Sequence, residues 1–266
     1  MRIVTWNINS VRLRIETLLR VMGETKADVV CLQETKTPDE FFPMDAVKAA
    51  GFEHAFISGM KGYNGVAILS KLPLENGEIH KRCGKTDSRH ISASVKIKGY
   101  DPIEIHNIYI PAGGYEPDPV TNDKFQHKLD FVDELAAWFP KKRETKRPMV
   151  VLGDLNIAPL ENDVWDHKKM LGVVSHTPVE IEKFTRFYDS MKWTDAIRHF
   201  VPEGKKLYSW WSYRAADWKA ADKGRRLDHI WVTEPLKKHL KGQKVLKPVR
   251  SWERPSDHVP IVLDIF

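Results

Sequence analysis

Side chains able to hold a hard cation or to move a proton recur at the ends of apolar runs. Asn7 and Asn9 follow Arg2–Trp6, Glu34 follows Asp28–Leu32, and Asn107 and Tyr109 lie toward the end of Ile103–Ile110. Asp154 and Asn156 follow the very apolar Met149–Leu152, Asp228 and His229 open another such run, and Asp257-His258 stands just before the last one. Hydrolysis of a phosphodiester asks for such a set: oxygen ligands for a divalent cation, a group that orients and deprotonates water, and donors facing the non-bridging oxygens. Glu34 and Asp257 supply hard oxygens, Asn7, Asn156 and Tyr109 are neutral donors, and Asp154 and His258 can exchange protons. Asp154 and Asn156 are two positions apart, so on an extended chain both fall on one side with Leu155 on the other. Asp257 and His258 are adjacent and point apart, which leaves Asp228 as the carboxylate expected to orient the imidazole and favour its charged form. Taken singly, each has a plainer explanation. Asp-x-Asn is more often a turn, Glu34 a solvated carboxylate, Tyr109 a core residue, and His258 with Asp228 a surface ion pair worth under about 1 kcal/mol.

Apolar runs, mostly rich in Val and Ile, predict the strands that would position these groups, at Arg2–Trp6, Asp28–Leu32, Gly65–Leu69, Ile91–Ile97, Ile103–Ile110, Pro148–Gly153, Leu227–Val232 and Val259–Ile265. Helical spacing falls between several of them, at Val11–Thr25, Asp39–Ala50, Lys124–Phe139 and Ile181–Met191. The alternation gives an α/β class. Lys98–Pro102 is too short for a crossover helix, so hairpins are present as well and the sheets are mixed. Lys141–Pro148 and Glu234–Pro248 are charged and loop-like, but each lies between strands that need partners elsewhere, so residues 1–266 read as one domain. Strand ends gather loops on one side of a sheet core, which would bring the polar groups to one cleft.

Of the 266 residues 42% are hydrophobic, enough for a sizeable core and against a fibre or a disordered tail. Cys31 and Cys83 are too few for a disulfide framework or a four-cysteine zinc site and fit a reducing compartment. No apolar run approaches the roughly 20 residues of a membrane span, and the chain starts almost directly on its first strand without an apolar leader. No membrane partner is expected. The 42 Lys and Arg against 36 Asp and Glu leave +6, a mild lean toward a polyanion.

Taken together and in order, Trp6-Asn7-Ile8-Asn9, Leu32-Gln33-Glu34-Thr35-Lys36, Asn107-Ile108-Tyr109-Ile110-Pro111, Gly153-Asp154-Leu155-Asn156, Tyr208-Ser209-Trp210-Trp211, Arg226-Leu227-Asp228-His229 and Ser256-Asp257-His258-Val259-Pro260 closely resemble the exonuclease III family of the endonuclease/exonuclease/phosphatase superfamily. The resemblance covers essentially the whole chain. It implies a four-layer α/β sandwich, with two mixed β-sheets packed face to face and helices outside. It also implies a Mg²⁺-dependent DNA-repair nuclease, with Mn²⁺ able to substitute. Such an enzyme cuts 5′ of abasic sites and removes 3′ nucleotides or blocking groups from duplex DNA, as a monomer in the bacterial cytosol. By similarity the metal site draws on Asn7, Glu34, Asp154, Asn156, Asp257 and His258, with Glu34 the principal ligand. Asp154 orients or deprotonates water, Asn156 binds the scissile phosphate, and Tyr109 stabilises the transition state or the leaving oxygen. His258, oriented by Asp228, contacts or protonates a phosphate oxygen. Which of Asp154 and His258 is the base stays open.

Leu207–Trp218 interleaves Tyr208, Trp210, Trp211 and Tyr213 with Arg214, and Arg225-Arg226 precede Leu227, a pattern suited to stacking a nucleotide while cations hold phosphates. Trp210, Trp211, Arg225, Arg226 and Leu227 are therefore the expected DNA contacts, joined by Arg89 and the Lys81–Lys85 run. At least one of the two tryptophans is expected only to pack in the core. In relatives, aromatic and apolar residues at the positions of Trp210 and Leu227 form the abasic-sugar pocket; Arg225 stands where some carry a bulky apolar residue. Two other readings keep part of the pattern: a phosphoesterase acting on an inositol phosphate or phospholipid headgroup, and a catalytically silent DNA-binding module. The acidic set Glu34, Asp154, Asp228 and Asp257 would repel DNA until a cation is bound, so the basic excess is expected around the cleft, with Arg89, Arg225 and Arg226 foremost.

Overall fold

The computed structural model describes residues 1–266. In chain order the strands are β1 (Arg2–Asn7), β2 (Val29–Gln33), β3 (His54–Ser58), β4 (Val66–Ser70), β5 (Leu74–Ile79), β6 (His90–Val95), β7 (Ile103–Tyr109), β8 (Met149–Asp154), β9 (Thr194–Asp195), β10 (Trp210–Trp211), β11 (Gly224–Arg225), β12 (Asp228–Val232), β13 (Leu240–Val245) and β14 (Ile261–Ile265). They form two six-stranded sheets, ordered β13-β14-β1-β2-β4-β3 and β5-β6-β7-β8-β12-β9, plus the short ribbon β10-β11. Each large sheet contains one parallel pair, β1 with β2 and β7 with β8, and is otherwise antiparallel. The mixed sheets expected from the sequence are present, and all the predicted strands form within a few residues of their expected ends.

The period of two along each strand decides what faces what. On β1 Ile3, on β2 Val29 and Cys31, on β7 Ile103 and Ile105, and on β8 Val150 and Leu152 join one buried cluster between the sheets. The alternate residues face outward: Val4, Trp6, Val30 and Leu32 pack with Leu18, Val21 and Met22 of α1 (Ile15–Thr25). Ile108, Met149 and Val151 pack with Phe131, Val132, Leu135 and Phe139 of α3 (Asp123–Lys142) and with Phe184 and Phe187 of α5 (Pro178–Asp189). Helices therefore cover the outer faces, and burying side chains of this size contributes roughly 1.5–3 kcal/mol each. Asn122 caps α3 by accepting from Lys124 N and Phe125 N, while Thr177 and Glu180 form a capping box on α5. Short helices also occur: α2 (Met44–Ala49) early in the chain, α4 (His167–Met170) between α3 and α5, and α6 (Trp218–Ala221) beside the ribbon.

Following the inward face of each strand toward the carboxyl ends of the parallel pairs, the side chains turn polar. Ile3 gives way to Thr5 and Asn7, Cys31 to Gln33, Ile105 to Asn107 and Tyr109, and Leu152 to Asp154. A buried amide layer separates the apolar core from the carboxylates. Gln33 Nε2 donates to Asn107 Oδ1 at 2.7 Å and Thr5 Oγ1 at 3.0 Å, and Asn107 Nδ2 donates across the sandwich to the carbonyls of Leu32 and Ala67. Gly153 permits the close pairing of β8 with β7 here, since at its φ of 134° a Cβ would lie 2.0 Å from the Ile108 carbonyl oxygen.

Two expectations are corrected. The helix over Asp39–Ala50 is a 3-10 turn, Asp39–Phe41, followed by α2, because Pro43 cannot continue the hydrogen-bond ladder and instead starts the second piece. Glu234–Pro248 is not only loop: it holds the short helix α7 (Glu234–Lys237) and edge strand β13, whose Lys241 and Lys244 are exposed to solvent.

Candidate active site

Parallel pairing brings the carboxyl ends of β1 and β2 opposite those of β7 and β8. The antiparallel strands β12 and β14 begin at the same end, so Asp228 and the segment Ser256–His258 arrive there too. Asp228 pairs directly with Asp154 across β12 and β8. The chain then kinks at the ends of both parallel pairs: Glu34 and Asn156 adopt left-handed backbone, at φ 52° and 54°. This conformation is tolerated by Asn but costs a Glu roughly 1–2 kcal/mol, strain of a kind concentrated at functional sites.

Asn7 bridges the two sheets. Its Nδ2 donates to Glu34 Oε1 at 3.0 Å and to Asp154 Oδ2 at 2.8 Å, while its Oδ1 accepts from Asn9 N. Tyr109 donates its hydroxyl to the same Glu34 Oε1 at 2.7 Å. Burial, with Glu34 and Asp154 nearby, pushes the Tyr109 phenol well above its usual range, so it stays a donor. Burial works against charge on Glu34, but Lys36, Asn7 and Tyr109 outweigh it and hold the carboxyl below its usual range. The Lys36 ammonium stands 2.7 Å from Glu34 Oε2 and donates to Asn9 Oδ1 at 2.7 Å, and Asn9 Nδ2 in turn reaches Asp257 Oδ1 at 3.3 Å. Oxygen atoms thus already converge on a positive charge beside Glu34, which is the donor chemistry a hard divalent cation requires.

On the other side of Asn7 lies a buried triad. His258 Nδ1 is 2.8 Å from Asp228 Oδ2, and its Nε2 faces Asp154 Oδ2 at 3.5 Å. Ser209 holds Asp228 in place, donating its hydroxyl to Oδ2 at 2.6 Å while accepting from the N–H groups of Leu227 and Asp228. Ser256 ties the histidine loop to β1 through the Asn7 carbonyl. Burial disfavours the imidazolium, but Asp228 and Asp154 outweigh it and raise His258 to about 10. Burial pushes the Asp154 carboxyl up, Asp228 and Glu34 add to the rise, and His258 and Asn7 oppose it. Asp154 Oδ1 accepts from Asn156 N, and Asn156 Nδ2 donates to the Ile110 carbonyl. The Asp-x-Asn segment is therefore both a turn and part of the site, and its two side chains converge through a kink rather than along an extended strand.

The profile of the Endonuclease/Exonuclease/phosphatase family matches residues 4–258. The chain belongs to that family. It is 30% identical over 272 residues to exodeoxyribonuclease III of Haemophilus influenzae, with 98% of both chains covered. The structure superposes on an AP endonuclease from Archaeoglobus fulgidus with a TM-score of 0.91 at 30% identity, covering 100% of this chain and 99% of that one. The 3′ phosphatase NExo from Neisseria, bound to a product DNA hairpin, gives 0.89 at 31% identity over 100% and 99%. This family member is accordingly a hydrolytic enzyme of the exonuclease III type, and its architecture is the α/β sandwich of two mixed sheets expected from the resemblance.

Against that family frame, the structure gathers Asn7, Glu34, Tyr109, Asp154, Asn156, Asp228, Asp257 and His258 at one end of the sandwich. Donor atoms of Asp154, Asp228 and His258 lie within 4.8 Å of one another. In this arrangement both His258 nitrogens face carboxylates, and Asn7 turns its amide nitrogen toward Glu34. The expected DNA contacts divide. Trp210 is half-buried, donates Nε1 to Asp257 Oδ2 at 2.9 Å, and carries the Arg225 guanidinium 5.0 Å from its ring centroid. Leu227 is buried against Val164 and Met170, with Trp165 and Trp210 packed alongside.

Expectations of exposed contacts are corrected at Arg226, Trp211, Arg89 and the Lys81–Lys85 run, although one of the two tryptophans was expected to pack in the core. Arg226 is buried and paired with Asp163 and Asp195, so it faces the interior rather than a phosphate. Trp211 is buried beneath Trp218, its Nε1 bound to Asp222. Arg89 is buried beneath Tyr63 and Tyr109, 4.8 Å from the Tyr109 ring, and donates to the Tyr63 hydroxyl and to Asp87. Arg82, inside the Lys81–Lys85 run, is likewise buried against Glu134 and His90. Lys36, Ser209 and Ser256 were not singled out from sequence, and Asn9 was given no role. Each lies within the motifs that carry the resemblance, next to or two residues from a predicted site residue, and that proximity was the available signal.

Proposed function

We propose that this chain is a Mg²⁺-dependent DNA-repair nuclease. It acts on duplex DNA, incising 5′ of abasic sites and clearing 3′ nucleotides or blocking groups, and residues 1–266 work as one domain. The observation that carries the reading is the hydrogen-bonded array at one end of the sandwich: His258 stands between Asp228 and Asp154, and the Asn7 amide links Asp154 to Glu34. A group charged to about pH 10 is a poor general base at neutral pH, so the geometry favours His258 as the donor to a non-bridging phosphate oxygen. Asp154, buried and adjacent, then accepts the proton of the attacking water. Asn156 faces the phosphate, and Tyr109, kept protonated, donates to the developing charge. Glu34, with Asp257 and the amide oxygens around Asn9, would hold the cation, which supplies Lewis-acid stabilisation of the phosphate when bound. Trp210 with Arg225 offers a stacking wall for a displaced sugar or terminal nucleotide.

The test is a side-by-side assay of abasic-site incision and 3′ processing on defined duplexes, with and without Mg²⁺, for the natural chain and Glu34→Ala. Metal-dependent cleavage that Glu34→Ala abolishes, with the circular dichroism spectrum intact, is expected. Full activity in the variant would remove Glu34 from the metal site, and turnover of a soluble inositol polyphosphate without DNA cleavage would replace the substrate class.

A further inference from the structure

Lys128 and Glu180 form an ion pair sealed inside the protein. Neither side chain is exposed, and Lys128 Nζ lies 2.5 Å from Glu180 Oε1. The same ammonium donates to the Asn156 carbonyl at 2.7 Å and to the Ala112 carbonyl at 3.3 Å. Glu180 accepts from Ser175 N, Thr177 N and the Thr177 hydroxyl. The pair therefore ties together three loops. One follows β7 and Tyr109, one follows β8 and bears Asn156, and the third, around Ser175, anchors Arg225 through the Val174 carbonyl and Ser175 Oγ. Gly113 crosses directly over the lysine stem: a Cβ there would lie 2.9 Å from Lys128 Cδ.

Two buried charges are a weak source of stability, because desolvation offsets much of their attraction. What they can supply is geometry. Asn156 stands in a left-handed turn, and its carbonyl sets the peptide plane from which its side chain departs. Lys128 grips that carbonyl from below, where no solvent competes. Resting on the nuclease reading above, we propose that Lys128, clamped by Glu180, is a positioning residue that aims the Asn156 side chain at the scissile phosphate.

The test pairs Lys128→Met with Glu180→Gln, so that both charges go together and none is left buried alone. On a 3′-blocked duplex with Mg²⁺, kcat is expected to fall at least about 10-fold while KM stays within about 3-fold, the pattern of an interaction that matters in the transition state. In an Asn156→Ala background the same two changes should lower kcat no further, a non-additivity that a purely structural role would not produce. Lys128→Arg keeps the charge but points its donors differently, and should show a smaller fall with the same non-additivity. An unchanged kcat in the folded variants, or an equal fall in the Asn156→Ala background, overturns the proposal, as does failure of both variants to fold at 25 °C. Absence of nuclease activity in the natural chain overturns the nuclease reading, and the proposal with it.

Discussion

Buried histidines lie toward opposite faces of the same sheet, and one site holds its imidazole charged while the other keeps its imidazoles neutral. In the cleft, His258 sits between Asp228 and Asp154 and is raised to about 10. On the outer face, beneath Trp138 of α3, His80, His90 and His106 stand with ring centroids 4.3 to 5.6 Å apart. Burial and neighbouring cations drive these three down, His80 to about 3. Arg82, which can only donate, faces His90 Nδ1 at 3.0 Å, so His90 carries its proton on Nε2 and donates to His106 Nδ1 at 2.9 Å. His106 then keeps its own proton on Nε2, toward Glu104 Oε1 at 3.2 Å. Two neutral imidazoles thus link a guanidinium to a carboxylate. Their donor atoms lie within 4.8 Å of one another, yet Arg82 occupies the nitrogen that must be protonated for His90 Nε2 to bind a metal. Burial alone does not decide what a histidine does; the sign of its nearest fixed charge does.

Breaking the cleft cluster should have the largest effect. His258→Asn leaves Asp154 and Asp228 without their cation, and kcat on a 3′-blocked duplex should fall on the order of 10³-fold, as expected for loss of a proton-donating group. Asp228→Asn should cost on the order of 10²-fold and move the alkaline limb of the pH–rate profile downward, because it removes the main influence holding His258 charged. An unmoved limb would mean that His258 does not control it. The smallest effect separates the clusters by stability. His258 stabilises the fold fully below about pH 6.5 and loses that contribution as pH rises toward 10. His80 does the reverse: its neutral form is present above 6.5, and its contribution is lost as pH falls toward 3. Between pH 6.5 and 5 this amounts to about 2 kcal/mol for His80, so His80→Gln should flatten the acid side of a denaturant-derived stability curve and leave kcat unchanged.

The elements that position the site were legible because its strands are buried on both faces and are rich in Val and Ile, nearly unbroken in β2 and β8. Edge strands β3, β5 and β13 escaped notice: β5 and β13 are half-exposed and carry charged residues that look like loop, and β3 is short and only partly buried. Among the site residues, Glu34, Tyr109, Asp154, Asp228 and His258 were identifiable by chemistry and by the motifs around them. Charge alone misled at Arg226, whose guanidinium belongs to Asp163 and Asp195, residues far from it in sequence. Lys36 was invisible for a related reason: which carboxylate a lysine reaches depends on the left-handed kinks at Glu34 and Lys36 themselves, and local residue preferences do not announce a kink at either type.

The amide layer at Gln33 and Asn107 does more than fill space between apolar core and carboxylates. One sheet contributes Asn7 and Glu34 and the other Tyr109, Asp154 and Asp228, so the proposed catalytic geometry exists only at one relative placement of two slabs whose contact is otherwise mostly greasy and directionless. The Gln33–Asn107 bond is a directional peg across that plane. A slide of half a residue, about 1.7 Å, would part Asn7 from Asp154 while leaving the core nearly as well buried. Turnover in this enzyme is therefore a sensitive gauge of how two sheets are registered, and damage to the peg should register as lost rate well before it registers as lost fold.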